Sequence, residues 1–108
     1  MDRKINNELP LACDLSAIEA AQRERHQSNT EQLLATVQST HELPDGYALR
    51  FPAESSIIIK AAEFIKLERL CCPFFNFVLE VEPDNGPLWL KLTGPEGVKQ
   101  FLRVEFGL

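Results

Sequence analysis

"SSIIIKAAEFIKLERLCCPFFNFVLEVE", Ser55 to Glu82, writes a helix, a stop and a strand in one continuous run. From Ser56 to Cys71 the apolar positions are dense and include Ile58, Ala61, Ala62, Ile65 and Leu70, while Lys60, Lys66 and Arg69 mark a wetter side. Ser55 can cap the first turn, and such apolar density predicts a largely buried helix. Pro73 stops it, because proline has no amide donor and biases its predecessor away from helical backbone. Beyond the stop, Phe75, Phe77, Leu79 and Val81 share one face of a strand over residues 74–82. Phe74, Phe75 and Phe77 therefore read as core aromatics before they read as a lid over a ligand.

The flanks extend this alternation. Downstream, "PDNG" (Pro83–Gly86) is a turn in which Asn-Gly favours a hairpin, followed by a strand over "LWLKLT", Leu88 to Thr93. "GPEGVKQFL", Gly94 to Leu102, opens a helix with Pro95 in its first turn and Val98, Phe101 and Leu102 facing inward. Upstream, a turn at Pro44-Asp45-Gly46 precedes a strand in which Tyr47, Leu49 and Phe51 alternate with Ala48 and Arg50. Earlier still, Ser16 and Glu19 make a capping-box pattern for a helix running to Gln38. Ile18, Ala21, Leu33, Leu34 and Val37 mark its buried ends, and its polar middle, Gln22 to Gln32, is expected to face solvent or a partner. "LPLACDL", Leu9 to Leu15, reads as a first strand, and residues 1–8 as a loosely ordered N-terminus ahead of a single domain over 9–108.

The expected order is β-α-β-α-β-β-α. Two strand–helix–strand units imply right-handed crossovers and parallel neighbours, with an antiparallel strand from the last hairpin. The expectation is an α/β (α+β) two-layer sandwich, a four-stranded mixed sheet with helices mainly on one face.

Composition narrows the partners. Of 108 residues, 44% are apolar and 25% charged, an ordinary globular balance. Lys and Arg number 11 against 16 Asp and Glu, a formal net charge of −5, so neither nucleic acid nor an anionic membrane surface is an expected partner. The polar opening "MDRKINNELP" lacks the apolar core of a signal peptide, and the expected location is cytoplasmic, where thiols stay reduced. Three cysteines are an odd number and give no closed disulfide framework. Free thiols, metal ligands and redox-active groups remain.

Cys71 and Cys72 adjoin at the end of a helix. Neighbours differ by about 100° around a helix, but where the backbone leaves it both sulfurs can converge. With Cys13 they would offer three thiolates to soft ions such as mercury(II), copper(I) or arsenite. Zinc would want a fourth ligand, for which Glu68, one turn before Cys72, is the nearest candidate. Neither His26 nor His41 has ligand spacing to the pair. Cysteine also packs as a small apolar group, which is the plainer reading of Cys13 alone. On a regular layout Cys13 and the pair would sit at opposite rims of the sheet. As an enzyme nucleophile Cys13 is the better placed, since it precedes a helix amino end whereas the pair sits at a carboxyl end. A vicinal Cys71–Cys72 bridge would be strained. "TGPEG", Thr93 to Gly97, reads as a helix cap before it reads as an anion site.

The run ExxCCPFxxF, here Glu68, Cys71, Cys72, Pro73, Phe74 and Phe77, resembles one in small bacterial proteins of unassigned function. Those proteins also resemble this chain at an early "ACxL" (Ala12, Cys13, Leu15) and a late "LxLTGPEG" (Leu90 to Gly97). The resemblance carries no reaction with it. It implies that Cys13, Glu68, Cys71 and Cys72 belong together as one set.

Three functions are consistent with these residues. The first is capture of a soft, thiophilic metal or metalloid ion, or a small thiol-reactive ligand, by Cys13, Cys71, Cys72 and Glu68. The second is a cysteine-dependent redox or lyase-type enzyme with Cys13 attacking. The third is an assembly module with structural cysteines, in which the polar helix, an exposed Trp89 and "RVEFGL" at the C-terminus could form a homodimer surface.

Overall fold

The computed structural model describes residues 12–108. A 3-10 turn at Leu15–Ala17 leads into α1 (Ala20–Leu34), β1 (Ser39–Leu43), β2 (Gly46–Phe51), α2 (Ser55–Cys71), β3 (Asn76–Val81), β4 (Leu88–Thr93) and α3 (Val98–Phe106). The strands form one sheet in the order β1-β2-β4-β3, antiparallel throughout, and the helices supply a second layer, so the chain is a two-layer α/β sandwich.

Register explains the core. Tyr47, Leu49 and Phe51 of β2 pair with Leu92, Leu90 and Leu88 of β4, and all six are buried on one face. Phe77 and Leu79 of β3 continue that face beside Leu92 and Leu90. Ile57, Ala61, Phe64 and Leu67 of α2, Leu33 of α1, and Val98 and Leu102 of α3 join the same cluster. Each fully buried Leu or Phe contributes about 1.5–3 kcal/mol relative to exposure. Gly46 is required by closeness: a Cβ there would meet the Leu92 carbonyl oxygen at 1.9 Å. The β3–β4 turn places Asp84 and Asn85 at φ 59° and 56°, with the Gly86 amide donating to the Pro83 carbonyl at 3.0 Å. Two successive positive φ values are those of a type I′ hairpin, centred one residue before the Asn-Gly step.

Three expectations are corrected. The sheet is not mixed: β2 and β3, joined through α2, do run in the same direction, but β4 lies between them and pairs antiparallel with both. The first strand is not Leu9–Leu15. Leu9 to Leu11, like residues 1–8, lie outside the described residues, and Ala12 to Asp14 form no strand. The Asp14 carboxylate accepts from the Ser16 amide at 3.0 Å and the Ser16 hydroxyl at 2.5 Å, which caps the 3-10 turn and ends any extended run. The strand in its place, β1, is "STHEL", three of whose five residues are exposed, so no apolar alternation advertises it. Helix α1 also ends at Leu34, short of Gln38, and the Gln38 amide already donates to the Arg50 carbonyl of the sheet at 2.7 Å. β-Branched Thr36, Val37 and Thr40 favour that exit.

The polar middle of α1 lies over α2. Asn29 donates to the Lys60 carbonyl at 3.1 Å, and His26 is buried. Trp89 is half-buried on the opposite sheet face, donating to Glu82 at 3.0 Å and meeting the His41 ring edge-on. Among the described residues, no helix is long and apolar enough to cross a membrane.

Candidate thiol and metal site

The site is built where α2 runs out. The Cys72 amide makes a last helical bond to the Glu68 carbonyl at 2.8 Å, and Cys72 itself leaves helical backbone at φ −127°, ψ 71°. Pro73 follows and forbids continuation. That change of direction turns two side chains that would diverge into neighbours: the Cys71 and Cys72 sulfurs are 3.6 Å apart.

Cys13 arrives because its segment is not a strand. The Asp14 amide donates to the Cys71 carbonyl at 2.8 Å, satisfying an orphan carbonyl at the helix end. This bond docks the Ala12–Asp14 segment on the end of α2, and the Arg23 guanidinium holds the following turn through the Leu15 and Ile18 carbonyls, both at 2.9 Å. The Cα atoms of Cys13 and Cys72 are 4.7 Å apart, and their sulfurs are joined as a disulfide. Cys71 is a free, buried thiol. The separation to opposite rims expected of a regular layout does not occur.

Glu68 organises the sulfurs. Its Oε2 lies 3.3 Å from Cys72 Sγ, and its Oε1 accepts from the Cys71 thiol at 3.7 Å. Cys13, Glu68, Cys71 and Cys72 can each present a donor atom such that all four atoms lie within 4.8 Å of one another. The set predicted as metal ligands is therefore brought together in full. Burial, and then the adjacent Glu68 carboxylate, push the Cys71 thiol up from an ordinary value of 9.0 to about 12. At neutral pH Cys71 is a protonated thiol and not a nucleophile, unless an ion displaces its proton.

One participant was not expected. His26 Nε2 donates to Glu68 Oε1 at 2.7 Å, with both side chains almost wholly buried. The imidazole stacks on Phe64 at 5.9 Å, and its Nδ1 is buried without a hydrogen-bond partner among the described residues. The sequence signal was spacing. His26 and Leu33 are both buried, and their interval of seven places them on one side of α1. Glu68 likewise lies on the buried stripe Ile57, Ala61, Phe64, Cys71 of α2, not on the wetter side. A charged residue on an apolar stripe must find a partner, and the chain supplies His26.

Apolar walls complete the environment. Phe75 is buried and meets Phe74, Phe77 and Phe101 edge-on, so the phenylalanine nest is core. A cleft of about 900 Å³ opens beside the sulfurs, lined in part by Cys13, Arg23, Glu24, Phe101, Glu105 and Phe106. The "TGPEG" loop lies elsewhere, with Gly97 at φ 98° as the cap of α3. Comparison with protein-family models, with curated proteins and with solved structures returned no match.

Proposed function

We propose that the protein, with the Cys13–Cys72 bridge reduced, captures one soft metal or metalloid ion through Cys13, Cys71 and Cys72, with Glu68 as the fourth donor. The observation that carries this is the convergence of three sulfurs and one carboxylate oxygen within 4.8 Å. Sulfur-rich sets suit thiophilic ions, and a tetrahedral zinc site would draw on the carboxylate as well. Glu68 is fixed by His26 at 2.7 Å, and an oriented carboxylate of this kind is how proteins hold a ligand ready. The ion would displace thiol protons, so capture weakens as pH falls.

The test is titration of fully reduced protein with mercury(II), arsenite or zinc, read by native mass spectrometry and by ultraviolet charge-transfer absorption. One equivalent bound by the wild-type protein, and lost in the double variant Cys71→Ser/Cys72→Ser, supports the reading. Equal binding by that variant ends it.

A further inference from the structure

The sulfur cluster has an asymmetry that ion capture does not use. Within the disulfide, Cys72 is fully buried, whereas Cys13 is only half-buried and lines the 900 Å³ cleft. Cys71 lines the same cleft but is only 2% exposed. A nucleophile arriving from solvent meets one sulfur of the bridge before the other. The sulfur it would displace, Cys72 Sγ, lies 3.3 Å from Glu68 Oε2, which disfavours it as a thiolate and accepts its hydrogen bond once it is protonated.

We propose that the protein exchanges electrons with small external thiols, and that Cys13 is the sulfur through which exchange occurs. In the first step a thiol RSH, ionised before attack, strikes Cys13 Sγ. The Cys13–Cys72 bond breaks, an R–S–S–Cys13 bond forms, and Cys72 leaves as a thiolate. The proton given up by RSH returns to Cys72, which then donates a hydrogen bond to Glu68. A second RSH attacks the R sulfur, releasing RSSR and free Cys13. The two external thiols have together lost two electrons, and the bridge has gained them. Run backwards, with a small disulfide as oxidant, the same steps restore the bridge.

Cys71 stands outside this cycle. It is buried and hydrogen-bonded to Glu68, and pairing with its chain neighbour would strain the backbone. The charge of the cleft defines the class of thiol. Among the described residues, Glu24, Glu31, Glu68 and Glu105 face it with Arg23 as the one Lys or Arg, so a cationic or neutral thiol is admitted more readily than an anionic one. This inference is independent of ion capture, and either can fail while the other stands.

The experiment uses the full chain as Cys72→Ser, which leaves Cys13 without its partner. Treatment with cystamine, followed by acid quench and peptide mapping, is expected to place the mixed disulfide on Cys13 at least about tenfold faster than on Cys71. Modification of Cys71 first, or of both at one rate, overturns the proposal. Because that variant can lose stability, the reduced wild-type protein is oxidised with cystamine in parallel. A mapped Cys13–Cys72 bridge supports the proposal, and a Cys71–Cys72 bridge or none overturns it. The oxidised wild-type protein is also reduced by cysteamine and by glutathione, each rate divided by that thiol's rate on a small linear disulfide. A higher normalised rate for cysteamine supports the charge assignment, and equal or reversed rates overturn it.

Discussion

Two carboxylates, Glu68 and Glu42, show how differently the same group is used inside this molecule and on its surface. Glu68 is held by His26 at 2.7 Å inside the protein, against two sulfurs and the ring-lined end of α2. Glu42 is on the edge strand β1, where Lys99 of α3 donates to it and Arg103 lies 3.9 Å away. The Lys99 hydrogen bond and charge hold the Glu42 carboxyl below its ordinary value. Yet Glu42 is more than half exposed, and such pairs are screened by water and salt and stabilise little. A buried pair costs desolvation, and an apolar replacement of similar shape is often no worse for stability. The buried Glu68–His26 pair thus adds little to folding as a pair, and it presents an oriented carboxylate beside the thiols.

This contrast can be broken by mutation. Glu68→Ala should give the largest loss, about 3–5 kcal/mol in denaturant unfolding, because it strands a buried imidazole and opens a cavity among the sulfurs. Glu68→Gln keeps the shape and an acceptor for His26 and should recover part of that loss while still weakening ion capture. His26→Leu strands the buried Glu68 carboxylate and should cost an amount similar to Glu68→Ala while weakening capture, whereas the double variant His26→Leu/Glu68→Leu should recover most of the stability. Next in size, reduction of the Cys13–Cys72 bridge should lower stability by about 2–4 kcal/mol, read as a shift of the urea midpoint with and without reductant.

A smaller effect follows from Cys71. Its thiol is raised in the fold from 9.0 to about 12, first by burial and then by Glu68. Between those values the unfolded chain ionises and the folded one does not, so the unfolded state binds fewer protons. The contribution is therefore present below about pH 9 and lost as pH rises toward 12. Urea midpoints across that range should fall more steeply for the wild-type protein than for Cys71→Ala, and parallel profiles would contradict the burial of this thiol. At the far end of the scale, Glu42→Ala should leave the urea midpoint unchanged within error at moderate salt. A substantial loss there would erase the difference between the two carboxylates.

How far the sequence carries this account depends on the element. The run from Ser55 to Val81 was legible because α2 has a buried stripe, β3 alternates half-buried Phe77 and Leu79 with exposed neighbours, and Pro73 separates them sharply. β4 was legible for the same reason, with Leu88, Leu90 and Leu92 on one face. The edge strand β1 was not, because Ser39 to Leu43 bury almost nothing and are held by pairing with β2. Insertion of β4 between β2 and β3 is a nonlocal choice that no local pattern encodes. For the site, the doublet and Glu68 stood out by motif and spacing. Docking of Cys13 rests on a backbone bond from Asp14 to Cys71, which no side-chain pattern reveals. His26 sat within a polar stretch, and only its interval to Leu33 hinted at burial.

The most direct measurement is X-ray absorption at the metal or metalloid edge of the reduced protein loaded with one equivalent of mercury(II), arsenite or zinc. Three protein sulfurs around one ion, at about 2.3 Å for zinc, are predicted. An ion surrounded only by oxygen and nitrogen, or by a single sulfur, would contradict the claim that Cys13, Cys71 and Cys72 act as one set.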